Sequence, residues 1–575
     1  MGSQKLSAGL TYVLCAAIGV VAAVVTFGGP VLLGTAPFWD NPHGIIDQSA
    51  GDMLTALASY DVFVRDEWRW PLLRVEGLGG PGGANIAFSD SAPLLALLGR
   101  LIYRVSGATP VLFGPWLVAC FMLAAMAPAA LVRQLGARSI LAAVTAAVIG
   151  VSMPALLARW GHITLMAQGL IPLALLAYLR VAGEMRVNAG YLVMLGLCVV
   201  ALLTNPYLFF MVIAIAVAGL GQAGLNRHVP SGRIILSLVG LAAVLGLMMV
   251  VTGHLGGGSL SDPGFGVYSM NLLSPVVPQL SGLFPGATGM IDATGGQYEG
   301  FVYLGGGLIL LAALAFPTLR RRLLQRVRGH PLLAAVVAGS SLLAASNEVY
   351  VGSFHLMSLP LPAWSEAILG IARSSGRLAW IGLYLLAALS VATVARWLCA
   401  GPVLVVACGL QWVDAGPLRA MVHDSIHKPY STIDGLAWRA ALPSVAAVVL
   451  DPPFLCLVPR LDVSGRDVSG RDVSGGDVFR GDVNAMQHAA AEIQLKAAQA
   501  GVPINSIYAA RTRPDCRPPA LGPGALYVGF RHGAARPDWP CVTGSILVMC
   551  HATLPLPTLA SLAVTIALPG SADGS

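Results

Sequence analysis

The stretch Leu10–Leu33, LTYVLCAAIGVVAAVVTFGGPVLL, contains no Asp, Glu, Lys or Arg. As a helix rising 1.5 Å per residue it is long enough to cross a hydrocarbon core of about 30 Å. Runs of the same kind recur downstream, so the chain is expected to be a polytopic α-helical membrane protein. Its composition agrees: 56% of residues are hydrophobic, 11% are charged and the mean hydropathy is +0.75, well outside the range of soluble domains. Hydropathy predicts about eleven spans, near 10–33, 110–132, 139–157, 164–182, 190–205, 207–224, 234–253, 302–319, 331–346, 378–395 and 400–414.

The first span lacks a small-residue cleavage site and reads as a retained signal anchor with its N-terminal side in the cytoplasm. In that orientation Arg133 and Arg138, Arg180 and Arg186, Arg227 and Arg233, and the cluster Arg320, Arg321, Arg322, Arg326 and Arg328 all fall inside, as the positive-inside rule requires. The net charge of +7 is then a product of topology, and no motif points to nucleic acid. An odd number of spans places the C-terminal region outside. The segment Ser91–Gly107, SAPLLALLGRLIYRVSG, carries Arg100 and Arg104 four residues apart and reads as an interfacial helix.

The polar sequence is concentrated in a few places. Between Phe38 and Asp90 lie Asp40, Asp47, Asp52, Asp61, Asp66, Glu67 and Asp90. Residues 1–415 are read as a transmembrane domain with external loops at 35–109, 254–300 and 346–377. Residues 416–575 are read as an extracytoplasmic α/β domain, with AAVVLDPP, LYVGF and SILVMC as strands and MQHAAAEIQLKAAQAG as a helix ending at Gly. A DVSGR-type repeat at 462–483 is expected to be a flexible insertion. Five cysteines, Cys15, Cys120, Cys198, Cys399 and Cys408, fall in predicted spans. Cys456, Cys516, Cys541 and Cys550 lie in the tail, where an oxidising compartment would allow two disulfides in any of three pairings.

Several landmarks occur in order: GDMLTALASYDVFVRDEWRWP, AFSDSAPLLAL, RWGHITLMAQ, GFGVYSMNLLSP, QYEGFVYLG, RSSGRLAW and LQWVDAGP. Together they resemble an uncharacterised bacterial family of GT-C-like integral membrane proteins, related to the polyprenyl-phosphate-dependent glycosyltransferases. The resemblance spans about the first 420 residues. It implies a polyprenyl-phosphate-linked sugar donor, a glycan, lipid or protein acceptor of the cell envelope, and inverting transfer at the outer face of the bacterial inner membrane. It also implies a catalytic carboxylate just after the first span, where Asp47 and Asp52 stand. Asp52, in the Gly51–Asp52 pair, is the preferred base. The DD, DE or ED pair of many GT-C enzymes is missing here. The resemblance leaves room for a divalent cation and assigns no metal ligands.

Each candidate also has a structural reading. Asp52 could serve the N-terminus of a helix, and Asp90 reads as an N-cap before Ala92–Pro93 or as a substrate-binding residue in a supporting role at the site. His162, beside Arg159 and Trp160, is read as a phosphate or proton ligand or as an interfacial anchor. Glu299 is expected to hold acceptor hydroxyls or to pair with an arginine. Arg373 and Arg377, four residues apart, are expected to hold the leaving phosphate or to pair with the acidic first loop. Asn205 and Tyr207 read as a tight turn. Trp39, Trp68, Trp70 and Trp364 read as sugar-stacking or interfacial aromatics, and Asp61, Asp66 and Glu67 as a solvated helix face. The chain shows no internal repeat of the kind common in transporters, which favours an enzyme over a flippase of lipid-linked glycans. A non-catalytic scaffold of GT-C-like architecture is the third alternative.

Overall fold

The computed structural model describes residues 2–42, 51–80, 82–183, 187–226, 229–256, 264–285, 291–427, 431–457, 477–510, 516, 521–522, 524–530 and 538–565. Asp47, Arg186, Arg227 and residues 462–476 of the repeat lie outside them. The described chain is mostly helical. The helices that matter to the argument are α1 (Gly2–Phe27), α2 (Asp52–Arg65), α3 (Pro93–Ser106), α4 (Phe113–Gln134), α5 (Ile140–Val151), α6 (Leu170–Gly183), α7 (Val187–Leu202), α8 (Pro206–Leu225), α9 (Ser231–Thr252), α10 (Gly306–Arg321), α11 (Leu323–Gly329), α12 (Pro331–Ala345), α13 (Trp380–Val394), α14 (Ala400–Asp414) and α15 (Asp477–Ala500).

Among the described residues eight helices are long and apolar enough to cross a membrane, or nine if a bent pair counts as one span. This is the architecture of a polytopic helical protein. All eleven predicted spans fall on helices, and three of them fail as simple spans. α7 and α10 are 16 residues each, and α12 is joined to α11 through a bend of 108°. Hydropathy windows register apolar content and cannot see where a helix stops or breaks.

The bundle has two unlike ends. α4 begins beside Trp39 and Tyr60, where Phe113 packs on both rings, and it ends at Arg133, whose guanidinium donates to the Arg138 carbonyl. At that second end Arg396 donates to the Leu135 carbonyl and lies close enough to influence Arg326. Arginine-rich turns therefore share one end, and the long polar loops share the other.

In the first loop, α2 is buried over most of its surface, including Met53, Leu54, Leu57, Phe63 and Val64, because α3 packs on one side and α15 on another. Asp66 ends α2. Its carboxylate accepts from the backbone of Glu67 at 2.8 Å and of Glu76 at 3.0 Å and from Arg69 at 3.2 Å. Asp61 is partly buried, and burial raises its pKa to about 6. These two residues are therefore not the solvated face expected, whereas Glu67 is exposed.

α3 keeps an exposed apolar side through Leu98, Leu101 and Val105. Arg100, however, turns inward. It is buried, lies 3.7 Å over the Phe63 ring and 4.5 Å over Trp68, and donates to the Phe63 carbonyl. Arg104 remains exposed.

The C-terminal region carries a four-stranded sheet of order β5-β6-β8-β7: β5 (Ala447–Asp451), β6 (Ala525–Phe530), β7 (Cys541–Thr543) and β8 (Leu547–Cys550). β5 and β6 are parallel, and the other pairs are antiparallel. The disulfides are Cys456–Cys516 and Cys541–Cys550, the second joining paired residues of β7 and β8. Cys399 lies just before α14 and is exposed, outside the helix in which it was expected. α15 starts at Asp477, so the last residues of the repeat are helical.

This region is welded to the first loop. Ile504 bridges both Leu78 and Val448, Gln494 donates to Thr55 at 3.4 Å, and Lys496 donates to the Asp40 carbonyl at 2.8 Å. Two short antiparallel pairs complete the strands: β1 (Arg74–Val75) with β2 (Ala84–Asn85), and β3 (Glu348–Val351) with β4 (Phe354–Ser358).

Candidate functional site

Asp52 is the first residue of α2, following Gly51 at a φ of 117°. A side chain at position 51 would be strained there and would stand 3.4 Å from both Ala491 and Phe454 of the C-terminal region. The Asp52 carboxylate thus lies at the positive end of a helix dipole, in a crevice floored by the C-terminal domain. Its side chain is 17% exposed. Burial raises its proton affinity and the charges of Asp90 and Glu299 add to that, while His162 and Arg373 oppose it; the net shift is upward.

His162 is the hub. It sits between a helical turn at Pro154–Leu157 and a 3-10 turn at Ile163–Ala167, where the chain reverses between two spans. Its Nε2 is 3.7 Å from Asp52 Oδ2 and 3.6 Å from Glu299 Oε1, and its Nδ1 is 3.6 Å from Asp90 Oδ2. Burial pulls the imidazole pKa down, but the carboxylates of Asp52, Asp90 and Glu299 overcome it and hold the value at about 9. At neutral pH His162 is therefore an imidazolium.

Glu299 is held by two guanidiniums. Arg159 donates to its Oε2 and, at 2.7 Å, to the Tyr298 carbonyl. Arg377 donates to the same Oε2 through Nε at 2.9 Å and Nη2 at 2.6 Å. Burial alone would raise the Glu299 pKa, yet Arg377 and Arg159, with His162, hold it well below the usual carboxylate range. Paired glycines permit the approach: a Cβ at Gly376 would lie 2.4 Å from Gly300 Cα, and one at Gly300 would lie 2.2 Å from the Ser269 carbonyl oxygen. The EG of QYEGFVYLG and the GR of RSSGRLAW meet because neither glycine carries a side chain. Arg377 also lies 4.7 Å over the Tyr207 ring, whose hydroxyl accepts from the Ser374 amide at 2.9 Å.

Asp90 is not the N-cap expected. Ala92 holds that place before α3 without any side-chain cap. Asp90 has a φ of 55°, a left-handed conformation that Asp tolerates better than most residues. That turn delivers its Oδ1 to Thr164 Oγ1 and, at 3.3 Å, to Asn205 Nδ2. Its Oδ2 is buried without a hydrogen bond among the described residues and faces His162. Asn205 does make the predicted turn, its Oδ1 accepting from the Tyr207 amide at 2.9 Å. In addition its Nδ2 donates to Thr164 Oγ1 at 2.9 Å.

Arg373 is partly exposed, with its guanidinium 5.7 Å from the Tyr268 ring, and its charge reaches Asp52. Tyr508, from the C-terminal domain, packs on Phe454 at 4.7 Å. Its phenol is pushed far above its usual pKa, first by the Asp52 carboxylate and then by burial.

Six of the seven residues singled out from the sequence, Asp52, Asp90, His162, Glu299, Arg373 and Arg377, are brought together. Asp47 lies outside the described residues. Arg377 is committed to Glu299 and Glu299 to two arginines, so both serve the frame of the site. Arg159 entered the sequence reading only as a neighbour, although a guanidinium in an apolar stretch is itself a signal. Thr164 and Tyr508 were missed. Trp39 and Trp160 are buried in an aromatic cluster with Phe27, Phe38 and Phe113, so neither is a surface anchor. Among the described residues no set of three or more His, Cys, Asp and Glu is arranged to hold a metal ion.

No curated protein and no solved structure matches the chain. A family match covers residues 16–416, which takes in all of the site residues except Tyr508. It spans more than half of the chain, which therefore belongs to the family described as Domain of unknown function (DUF6311).

Proposed function

We propose that the protein is a GT-C-like glycosyltransferase that moves a sugar from a polyprenyl-phosphate donor to a glycan, lipid or protein acceptor of the cell envelope. In this reading it is a multi-pass protein of the bacterial inner membrane, with its N-terminus in the cytoplasm and the site and C-terminal domain on the outer side. The observation that carries the reading is the contrast between Asp52 and its neighbours. Glu299 is locked as an anion, His162 is charged, and Asp52 is a carboxylate that combines raised proton affinity with partial exposure.

Those are the properties of a general base. The acceptor hydroxyl oxygen would attack the anomeric carbon, its proton passing to Asp52 as the new C–O bond forms. The bond between the anomeric carbon and the phosphate oxygen breaks, and the phosphate leaves with the electron pair. Attack from the side opposite the leaving group inverts the configuration. Arg373 and the imidazolium of His162 supply positive charge for the departing phosphate. Arg159, Glu299 and Arg377 hold His162 in place. Tyr508 brings the C-terminal domain within electrostatic reach of Asp52.

The test is reconstitution of the full chain with radiolabelled polyprenyl-phosphate sugars, comparing the native protein with Asp52→Asn. Sugar transfer that disappears in the variant is the expected result. Equal transfer by both proteins removes Asp52 as the base. Movement of the lipid across the bilayer without transfer identifies a flippase, and neither activity with any donor points to a scaffold.

A further inference from the structure

The β3–β4 hairpin and the segment after it carry none of the site residues, yet they hold a run of exposed apolar side chains. From Val349 to Ser365 the chain reads VYVGSFHLMSLPLPAWS, without one Asp, Glu, Lys or Arg. Every residue of β4 is exposed. Phe354 is 67% exposed and Trp364 71%, and Leu356, Met357 and Leu359 are exposed as well. β4 carries a bulge, with Val349 paired to Met357 and Tyr350 to His355 so that Leu356 is the extra residue, and Phe354, Leu356 and Met357 are all exposed there. A lone two-stranded hairpin is marginally stable in water, and here the Glu348 carboxylate ties the strands, 2.9 Å from His355 Nε2 and accepting from Ser358.

Its position says what covers it. α12 has 15 residues, about 22 Å at 1.5 Å per residue, and is too short to cross a core of about 30 Å. Its last turn ends in exposed apolar side chains, Leu342 at 73% and Leu343. β3 begins three residues after that helix ends. Only Ser346, Asn347 and Glu348 separate the apolar end of this short membrane helix from the exposed apolar residues of the hairpin, before the chain has gained the length to leave the bilayer. Among the described residues β4 pairs only with β3, and its other backbone edge sets the depth, since unpaired N–H and C=O groups are costly in hydrocarbon but are satisfied among headgroups and water.

We propose that β3–β4 and the Leu359–Trp364 segment form a wedge seated in the interfacial layer of a phospholipid bilayer, with Phe354, Leu356, Met357, Leu359 and Trp364 as its lipid contacts. The wedge is rigidly tied to the site. Asn271 both donates to the Gly352 carbonyl at 2.8 Å and accepts from the Gly352 amide at 2.9 Å. Asn271 also donates to Gln297 at 3.0 Å, two residues from Glu299. Leu272 donates to the Tyr350 carbonyl at 3.0 Å. The wedge thereby fixes the height of Asp52 and His162 above the lipid. It stands whatever reaction the site performs.

Spin labelling tests this. In a Cys399→Ser background, nitroxides would be placed separately at Leu356→Cys and Met357→Cys, with Ala500→Cys at the exposed end of α15 as the aqueous reference. The full chain would be studied in nanodiscs of phosphatidylethanolamine and phosphatidylglycerol. At both hairpin positions the label should be relaxed more by oxygen than by a water-soluble nickel chelate, the reverse of the reference. Nickel-dominated relaxation at either position means a solvated hairpin and overturns the proposal. Protection from both relaxants means that a second copy or another protein covers the surface, and overturns it equally.

Discussion

Glu299 in the candidate site and Glu492 in the joint between α15 and the first loop are both buried and both hydrogen-bonded several times, yet burial has opposite outcomes. Glu492 Oε2 accepts from the Thr432 amide at 2.9 Å, the Thr432 hydroxyl at 3.0 Å, the Ile433 amide at 3.1 Å and the Ser431 hydroxyl at 3.1 Å. Its Oε1 accepts from Asn41 at 2.9 Å. These hydrogen-bond donors are neutral, and even with His488 Nε2 at 3.6 Å and Lys496 within electrostatic reach they do not offset burial, so the Glu492 pKa is raised. Glu299 accepts from two guanidiniums and lies beside His162, and its pKa falls far below the usual range. Neutral donors shape a buried carboxylate, whereas full positive charges are needed to keep it ionised. The joint is built to hold a shape, and the clamp is built to hold a charge.

The largest test of that contrast is removal of the charge. Glu299→Gln leaves Arg159 and Arg377 buried without their anion, which should cost about 3–5 kcal/mol, read as a lowered thermal unfolding midpoint in detergent. Glu492→Gln keeps the volume and one carbonyl acceptor, and should cost about 1–3 kcal/mol through the backbone and hydroxyl donors it leaves unmatched. Equal losses in the two variants would break the distinction. Because Glu492 joins α15 to Asn41 of the first loop and to Thr432 of its own domain, its variant should also become more sensitive to limited proteolysis in that domain, while Glu299→Gln should not.

Changing pH should separate the groups further. Glu299 has a depressed pKa, so its contribution is fully present above the unfolded carboxylate value of 4.5 and is lost as pH falls through the folded value. Glu492 has a raised pKa, so the stability of the joint grows as pH falls through its folded value and levels off below the unfolded value of 4.5. His162 is raised from 6.5 to about 9, so its contribution is present below 6.5 and disappears as pH rises through about 9. Unfolding midpoints of the native protein and His162→Gln should differ at pH 6 and converge above about pH 9. A gap that persists in alkali would mean that the histidine acts through packing.

The sequence shows much of this polarity and little of its wiring. Apolar runs reveal where helices lie, and arginine-rich turns reveal which loops share an end. Those two signals alone place Asp52, Asp90, His162, Glu299, Arg373 and Arg377 on one side. They cannot show that α12 is too short to span, because hydropathy does not count hydrogen-bonded turns. They cannot show that Arg100 turns inward, since an amphipathic pattern with two arginines fits either direction. Tyr508 was invisible for a plainer reason: it reaches Asp52 only because Ile504 bridges Leu78 and Val448, and such long-range pairing leaves no local periodicity.

Asp52→Asn should have the smallest effect on stability and is the sharpest comparison with Glu299→Gln, since both substitutions remove one carboxylate beside the same imidazole. Losing the negative charge at the start of α2 forfeits about 0.3–1 kcal/mol of helix-dipole interaction. Against that, the substitution relieves the burial of a charge and its repulsion by Asp90 and Glu299, which already raise its pKa. The net change in unfolding should stay within about 1 kcal/mol. Asp52 is the largest influence raising His162, so the alkaline limb of the stability profile should move down from about pH 9 toward 6.5 in this variant. Sugar transfer, if Asp52 is the base, should fall by about 10²–10⁴. A variant that unfolds as readily as Glu299→Gln would show that Asp52 belongs to the frame, whereas unchanged folding with lost transfer and a shifted histidine would assign it to the chemistry.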